Sequence, residues 1–275
     1  MTNISTKITL NNGIKIPQFG LGVYKVEEGK QIEQTIEYAL DLGYRLIDTA
    51  AFYENEKGVG KAITNSSVPR KEIFVTTKIW NSDQGYEKTI QAFNRSFEKL
   101  GLEYIDLLLI HWPVKEKYLE TWKALEEIYK QGKVRAIGVS NFTIEHLSHL
   151  LAHATIKPVL NQVELHPKLS QKELIQFCKE HDIVVQAWSP IARGAVLEEP
   201  ILVELSKKYN KSVAQIILRW HLQNDVLIIP KSSNKERLEE NSNLFDFELT
   251  KEDMKLIDSL NENKRFGADP NNFDF

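Results

Sequence analysis

Asp48, Tyr53, Lys78 and His111 are the residues of this chain whose types and spacing could do chemistry together. An unperturbed tyrosine titrates near ~10, too high for efficient proton transfer at neutral pH. A nearby ammonium favours the tyrosinate and lowers that value, and a carboxylate can hold the ammonium in place. Lys78 and Asp48 could serve Tyr53 in those two ways, while His111 could donate a hydrogen bond that orients a carbonyl oxygen for attack. The chemistry would be protonation of a carbonyl oxygen as its carbon is reduced. Singly, each residue has a plainer reading: a rim ion pair for Lys78 or Asp48, packing for Tyr53, a satisfied core histidine for His111 beside Trp112-Pro113. Their joint placement carries the inference.

That placement depends on the elements that deliver them. Asp48 ends Arg45-Leu46-Ile47-Asp48, Lys78 ends Ile73-Phe74-Val75-Thr76-Thr77-Lys78, and His111 ends Leu107-Leu108-Leu109-Ile110-His111. Tyr53 lies just past the first of these ends. Short β-rich apolar runs recur near 18–22, 44–48, 73–78, 105–111, 134–139, 159–163, 183–188 and 226–229. Helical periodicity fills the intervals: Ile32, Ile36, Ala39 and Leu40 share one face, as do Ala92, Phe93, Phe97 and Leu100. Strands that read as continuous hydrophobic runs indicate a parallel sheet buried on both faces. Eight such units predict an α/β fold, the (β/α)8 TIM barrel, whose active sites form at the C-terminal ends of the strands. The alternative is an open doubly wound sheet. Its Gly-x-Gly-x-x-Gly fingerprint is absent, because Gly20-Leu21-Gly22 is followed by Lys25 where that pattern needs glycine.

An N-terminal hairpin is expected around Asn11-Asn12-Gly13, and extra helices late in the chain at 199–209, 212–224, 234–243 and 250–260. Thr250-x-x-Asp253 resembles a capping box at the last of them. The tail from Phe266 to Phe275 reads as irregular. No repeat or low-complexity linker divides the chain, so residues 1–275 are expected to form a single barrel domain.

With 35 basic against 38 acidic side chains, the formal charge of −3 gives no polyanion-binding surface, so nucleic acid is not expected as a partner. Met1 to Asn12 holds no apolar core of signal-peptide length, and no run approaches the ~18 residues of a spanning helix. Cys178 is the one cysteine, which suits a reducing compartment. A cytoplasmic monomer, off the membrane, is expected.

Gly43-Tyr44-Arg45-Leu46-Ile47-Asp48-Thr49-Ala50, then Tyr53, Glu56 and Gly60, resembles the first signature of the aldo-keto reductases. Val134-Arg135-Ala136-Ile137-Gly138-Val139-Ser140-Asn141-Phe142 resembles the second. Ile229-Pro230-Lys231-Ser232-Ser233, followed by Arg237, Glu240 and Asn241, resembles the third. The resemblance runs from the hairpin to about residue 265 and implies the same barrel, with the family's catalytic tetrad on Asp48, Tyr53, Lys78 and His111. It further implies NADPH/NADP+ as cofactor. Ser140, Asn141 and Gln162 would hold the nicotinamide carboxamide and Trp188 would stack on its ring, the flat indole positioning the hydride donor. Lys231, Ser232 and Arg237, at a helix start after strand eight, would bind the 2′-phosphate, where exposed amides and the helix dipole favour an anion. Gly22, Tyr24, Ser189, Pro190, Ser233, Glu240 and Asn241 complete the implied cofactor set.

Tyr24, Phe52, Trp80 and Trp112 would wall an apolar cup above Tyr53 for a small-molecule carbonyl substrate, and the tail would contribute to it. The resemblance is nearest to the bacterial-type members that reduce 2,5-diketogluconate and methylglyoxal. Three rival patterns are weaker. Tyr-x-x-x-Lys, the short-chain dehydrogenase signature, occurs twice, at Tyr53/Lys57 and Tyr129/Lys133, without that family's glycine-rich loop. His146, His149 and His153 share a helix face with no carboxylate at a ligand position, so no metal is expected. A nucleotide-responsive accessory protein on the same fold is the alternative from another class; NADPH oxidation over an aldehyde panel separates it from a reductase.

Overall fold

The computed structural model describes residues 3–273 and residue 275. Strands β1 (Lys7–Thr9) and β2 (Lys15–Pro17) form the antiparallel hairpin, turning through Gly13 at φ 84°. Eight strands follow, β3 (Leu21–Gly22), β4 (Leu46–Asp48), β5 (Phe74–Ile79), β6 (Leu107–Ile110), β7 (Ile137–Ser140), β8 (Leu160–Glu164), β9 (Val184–Trp188) and β10 (Leu227–Ile228). All pair in parallel with their sequence neighbours, as the eight apolar runs predict. The bridges Phe19↔Ile228 and Gly22↔Lys231 join the last strand to the first and close the barrel.

The first strand is much shorter than its run. Gly20 and Gly22 weaken it, yet both are required: a Cβ on Gly20 would lie 2.5 Å from Leu46 Cγ, and one on Gly22 2.8 Å from the Ile229 carbonyl oxygen. The outer ring comprises α1 (Lys30–Asp41), α2 (Glu56–Asn65), α3 (Tyr86–Leu100), α4 (Tyr118–Lys130), α5 (Ile144–Leu151), α6 (Lys172–Glu180), α7 (Pro200–Tyr209), α8 (Val213–Gln223), α9 (Lys235–Ser242) and α10 (Lys251–Asp258). In α1, Ile32, Ile36, Ala39 and Leu40 are buried as their spacing predicts. The Thr250 side chain accepts from the Asp253 amide and caps α10.

One apolar cluster fills the space between strands and helices. A second fills the barrel floor, where Leu10 and Ile16 of the hairpin meet Leu46, Phe74, Leu107, Leu109 and Leu227. The hairpin thus plugs the N-terminal end of the barrel and leaves the C-terminal rim as the face that can receive a ligand.

Candidate active site

The rim is ordered by strand register. Gly22 pairs with Asp48, and Asp48 with Thr76. Side chains alternate along a strand, so Lys78 shares Thr76's face, one step nearer the rim. From there its ammonium reaches Asp48 and the turn that carries Tyr53. Lys78 Nζ donates to Asp48 Oδ1 at 2.5 Å, to the Thr49 carbonyl at 3.0 Å and to the Tyr53 hydroxyl oxygen at 3.3 Å. An ammonium has three protons, and each has an acceptor. Asp48 Oδ2 accepts from Gln162 Nε2 at 2.7 Å, which holds the carboxylate from its other side. Asn55 fixes the turn itself: it accepts from the Thr49 hydroxyl and donates to the Val23 and Val26 carbonyls.

Electrostatics refines the expected roles. Burial disfavours the Lys78 ammonium, but Asp48 and Tyr53 outweigh it and hold the lysine above its ordinary value. Enclosure raises Asp48 against the pull of Lys78 and Gln162. We take the pair as ionised, because a carboxylate at this distance that accepts from two donors is best satisfied as the anion. For Tyr53 the sequence reading has the direction wrong. Enclosure raises the phenol above its ordinary value by more than Lys78 lowers it, and Asp48 raises it further. Asp48 already neutralises much of the ammonium, so too little positive charge remains to offset the cost of burying a tyrosinate. The resting group is a neutral phenol, the state a proton donor requires.

His111 is pushed well below the ordinary histidine range by burial first and by Lys78 second, so its ring is neutral. Its Nδ1 is buried with no hydrogen-bond partner among the described residues. An orphaned buried N–H is rarer than an orphaned acceptor, which places the proton on Nε2. Around it Trp80 lies edge-on at 5.0 Å and Tyr53 at 5.8 Å between ring centroids.

The four aromatic residues of the expected cup do gather here. Phe52 stacks on Trp80 at 3.9 Å, Tyr24 approaches Tyr53 at 5.0 Å, and Trp112 lies buried nearby. Tyr24 also lies over Phe52, with 6.5 Å between ring centroids. Two tail residues join the wall. Phe273 meets Trp112 at 5.1 Å and Phe275 lies parallel to Trp80 at 5.9 Å, while Asp274 between them is outside the described residues.

Beside the tetrad, Ser140, Asn141, Gln162 and Trp188 form one network. Ser140 Oγ donates to the Gln162 carbonyl at 2.7 Å, Asn141 Nδ2 to the His111 carbonyl at 2.9 Å, and Trp188 Nε1 to Asn141 Oδ1 at 2.8 Å. Asn141 sits at φ 64°, which turns its amide back toward the rim. Gln186 is the member that sequence reading missed. It accepts from Gln162 Nε2 at 2.8 Å, and its own Nε2 is buried without a partner among the described residues. A glutamine inside Val184-Val185-Gln186-Ala187-Trp188 was the available signal.

Ser189, at φ 52°, turns the chain out of β9, and the Pro190 carbonyl accepts from His221 Nε2 at 3.1 Å. On the far side of the rim, Lys231 bridges to Gly22 and so stands across the seam from Asp48's neighbour. Lys231 and Arg237 are exposed, and neither has an ion-pair partner among the described residues. Ser232 is buried, Ser233 half-buried, and Asn234 caps α9 by accepting from the Arg237 amide at 2.9 Å. On α9, Glu240 is exposed and Asn241 buried. Two unpaired cations at a helix N-terminus fit the phosphate of a dinucleotide, and the unpartnered Gln186 amide together with the half-buried Trp188 fits its polar ring end.

The remaining features lie elsewhere. A cavity of about 570 Å³ between the starts of α5 and α6, roofed by parts of 261–271, shares only Asn141 with these networks. Among the described residues no three His, Cys, Asp or Glu side chains converge to hold a metal. His146 Nδ1 lies on Thr143, His149 Nδ1 on the Tyr118 hydroxyl and His153 Nδ1 on the His149 carbonyl. No helix among the described residues is long and apolar enough to cross a membrane.

Comparison with known proteins bears on what this rim does. The Aldo/keto reductase family model matches residues 18–262. The chain is 54% identical over 269 residues to glyoxal reductase of Bacillus subtilis, covering 98% of both chains. It is also 54% identical over 269 residues to the 9,11-endoperoxide prostaglandin H2 reductase of Trypanosoma cruzi, covering 97% of this chain and 95% of that one. A Bombyx mori aldo-keto reductase solved in complex with NADP superposes with a TM-score of 0.88 at 38% identity, covering 96% of this chain and 95% of the other.

Proposed function

The chain belongs to the aldo/keto reductase family, and from that premise we propose that it reduces small aldehydes and ketones to alcohols with NADPH, with Tyr53 as the proton donor. When bound, the dinucleotide supplies the hydride. Lys231, Ser232 and Arg237 would hold its phosphate, with Gly22, Ser189, Pro190, Ser233, Glu240 and Asn241 around them. Asn141, Gln162, Ser140 and Trp188 would hold its ring end. The chain's other residues manage the proton and the carbonyl. His111 donates from Nε2 to the carbonyl oxygen and orients it. Tyr53 gives its proton to the same oxygen, and Lys78 stabilises the phenolate left behind, held in place by Asp48. Phe52, Trp80 and Trp112 shed water from the carbonyl, which strengthens these interactions.

The observation that carries this reading is the Lys78 ammonium, divided among Asp48 Oδ1, the Thr49 carbonyl and the Tyr53 hydroxyl. The test is Tyr53→Phe. General acid catalysis contributes about 10²–10⁴-fold, so turnover of methylglyoxal should fall by at least the lower figure with NADPH affinity unchanged within about two-fold. Turnover near the parent level would remove Tyr53 from its role.

For the substrate we propose small carbonyls such as methylglyoxal, keto-sugars or aromatic aldehydes. The glyoxal reductase relative and the aromatic cup support them, while the equally similar reductase of a prostaglandin endoperoxide, a far bulkier substrate than glyoxal, supports a cup that admits more than the smallest dicarbonyls. We further propose a cytoplasmic monomer folded as one domain over 1–275. The single, buried cysteine supports the compartment, and the packing of hairpin and tail on one barrel supports the single domain.

A further inference from the structure

Glu164, at the end of β8, is buried completely, yet it belongs to neither the tetrad nor the expected cofactor set. Its Oε1 accepts from the Phe266 amide at 2.7 Å, the Gly267 amide at 3.0 Å and His166 Nε2 at 3.1 Å. Its Oε2 accepts from the Gly267 amide at 3.2 Å, with Arg265 Nη1 at 3.9 Å. A buried carboxylate is costly unless donors surround it. Burial raises Glu164, but His166 and the two amides outweigh it and keep the group below its ordinary value. Two of those donors are main-chain groups of a segment about a hundred residues away, so this contact holds one stretch of backbone against the rim.

What the stretch meets there gives the contact a function. Gly267 lies so close to the indole of Trp188 that a Cβ would stand 2.4 Å from Cη2 and 3.1 Å from Glu164 Oε2. Trp188 is therefore fixed at two points, its N–H on Asn141 and its ring edge under Gly267. Farther along, the same segment brings Phe273 onto Trp112 and Phe275 onto Trp80. Asn81 Nδ2 adds a hydrogen bond to the Phe275 carbonyl at 3.0 Å. Between Gly267 and Phe273 there is no helix or strand to dictate that path, only an isolated bridge between Asp269 and Asn272.

We propose that Glu164 is a positioning residue for the substrate cup: by clasping Phe266 and Gly267 beside Trp188, it sets where Phe273 and Phe275 close the wall against Trp112 and Trp80. This rests on the reading of Trp80 and Trp112 as cup walls. The clasp uses the carboxylate as an acceptor on both oxygens. An amide in its place keeps one acceptor and turns an NH2 toward the Gly267 amide, which loosens the segment without emptying the site.

The test compares the full chain with Glu164→Gln, Phe275→Ala and the double variant, using methylglyoxal and the bulkier 4-nitrobenzaldehyde. Glu164→Gln and Phe275→Ala should each raise KM for 4-nitrobenzaldehyde by about five-fold or more, with kcat and NADPH affinity within about two-fold. For methylglyoxal, too small to reach the tail, KM should move by less than about two-fold. Because both changes act through one segment, the double variant should be no worse than the worse single one. Unchanged KM values in Glu164→Gln, equal shifts for both substrates, or multiplying effects in the double variant would each overturn the proposal. If Glu164→Gln gives no cooperative unfolding transition, Glu164→Asp takes its place, since it keeps the carboxylate but draws it one methylene back from the Phe266 and Gly267 amides; the same outcomes apply. A parent chain that oxidises no NADPH with either aldehyde would overturn the reductase reading and this inference with it. An active parent with an indifferent Glu164→Gln overturns this inference alone.

Discussion

Lys78 spends all three of its protons inside the protein, and this decides how Tyr53 behaves. With Asp48 opposite, the lysine carries little surplus field, so the phenol stays protonated until a reacting oxygen needs its proton. Lys78 then acts on the phenolate as it forms and has little to stabilise beforehand, which is where stabilisation accelerates a step. The identities of these groups were legible in the sequence because Asp48 and Lys78 each end an apolar run and Tyr53 lies just past one. The sign of the Tyr53 shift was not, since it depends on how completely the folded rim encloses the hydroxyl. The same scale holds the cofactor prediction. Arg237 is exposed and unpaired among the described residues, at the start of α9. Arg237→Ala should raise the NADPH dissociation constant by about ten-fold, the worth of one charge-assisted contact, and the NADH constant by less than about two-fold. Titration calorimetry with both dinucleotides decides it, and equal losses would contradict a 2′-phosphate role.

Helix α2 shows why an element can be hidden in a sequence. Glu56-Lys57-Gly58-Val59-Gly60 carries two glycines, which lower helix propensity, so the segment declares its helix less plainly than the faces of α1 and α3 do. The glycines serve packing: a Cβ on Gly58 would lie 2.3 Å from Ile32 Cγ2, and one on Gly60 1.8 Å from the Leu100 carbonyl oxygen. Helix α2 can thus sit flush between α1 and α3, which lets buried Glu56 accept from the Thr77 hydroxyl at 2.6 Å, next to Lys78 in β5. The Tyr53 turn leads straight into this helix. Gly60→Ala would push against main chain that cannot move aside, so it should cost about 2–3 kcal/mol of stability, the range of overpacked cores. Urea unfolding measures it, and a loss below about 0.5 kcal/mol would show that α2 and α3 can part freely. The strands were more legible than the helices, because a run buried on both faces declares itself by composition alone.

Across the whole molecule, buried neutral histidines make stability depend on pH. Burial pushes His221 down to about 3 from an ordinary 6.5. Its folded value lies below its unfolded one, so its contribution is complete above about 6.5 and is lost as pH falls toward 3. Glu56, raised by burial, works in the opposite sense, so a variant is needed to isolate the histidine. Between pH 7 and 5 the parent should lose roughly 2 kcal/mol more unfolding free energy than His221→Asn, and parallel profiles would contradict the assignment. The barrel as a whole could be read from the eight runs and the three signatures. The path of the tail could not, for it has no periodicity and is steered by Glu164, which in the sequence is one more residue at the end of a strand. Closure of the barrel has a further consequence. Gly22 meets Lys231 across the seam, so the proposed dinucleotide site draws on residues from near both ends of the chain. A nascent chain leaving the ribosome cannot assemble that site until residue 231 has emerged, and such long-range pairing is the slow kind. The dinucleotide would then favour the closed barrel by mass action, so cofactor supply would influence how many newly made chains complete the seam.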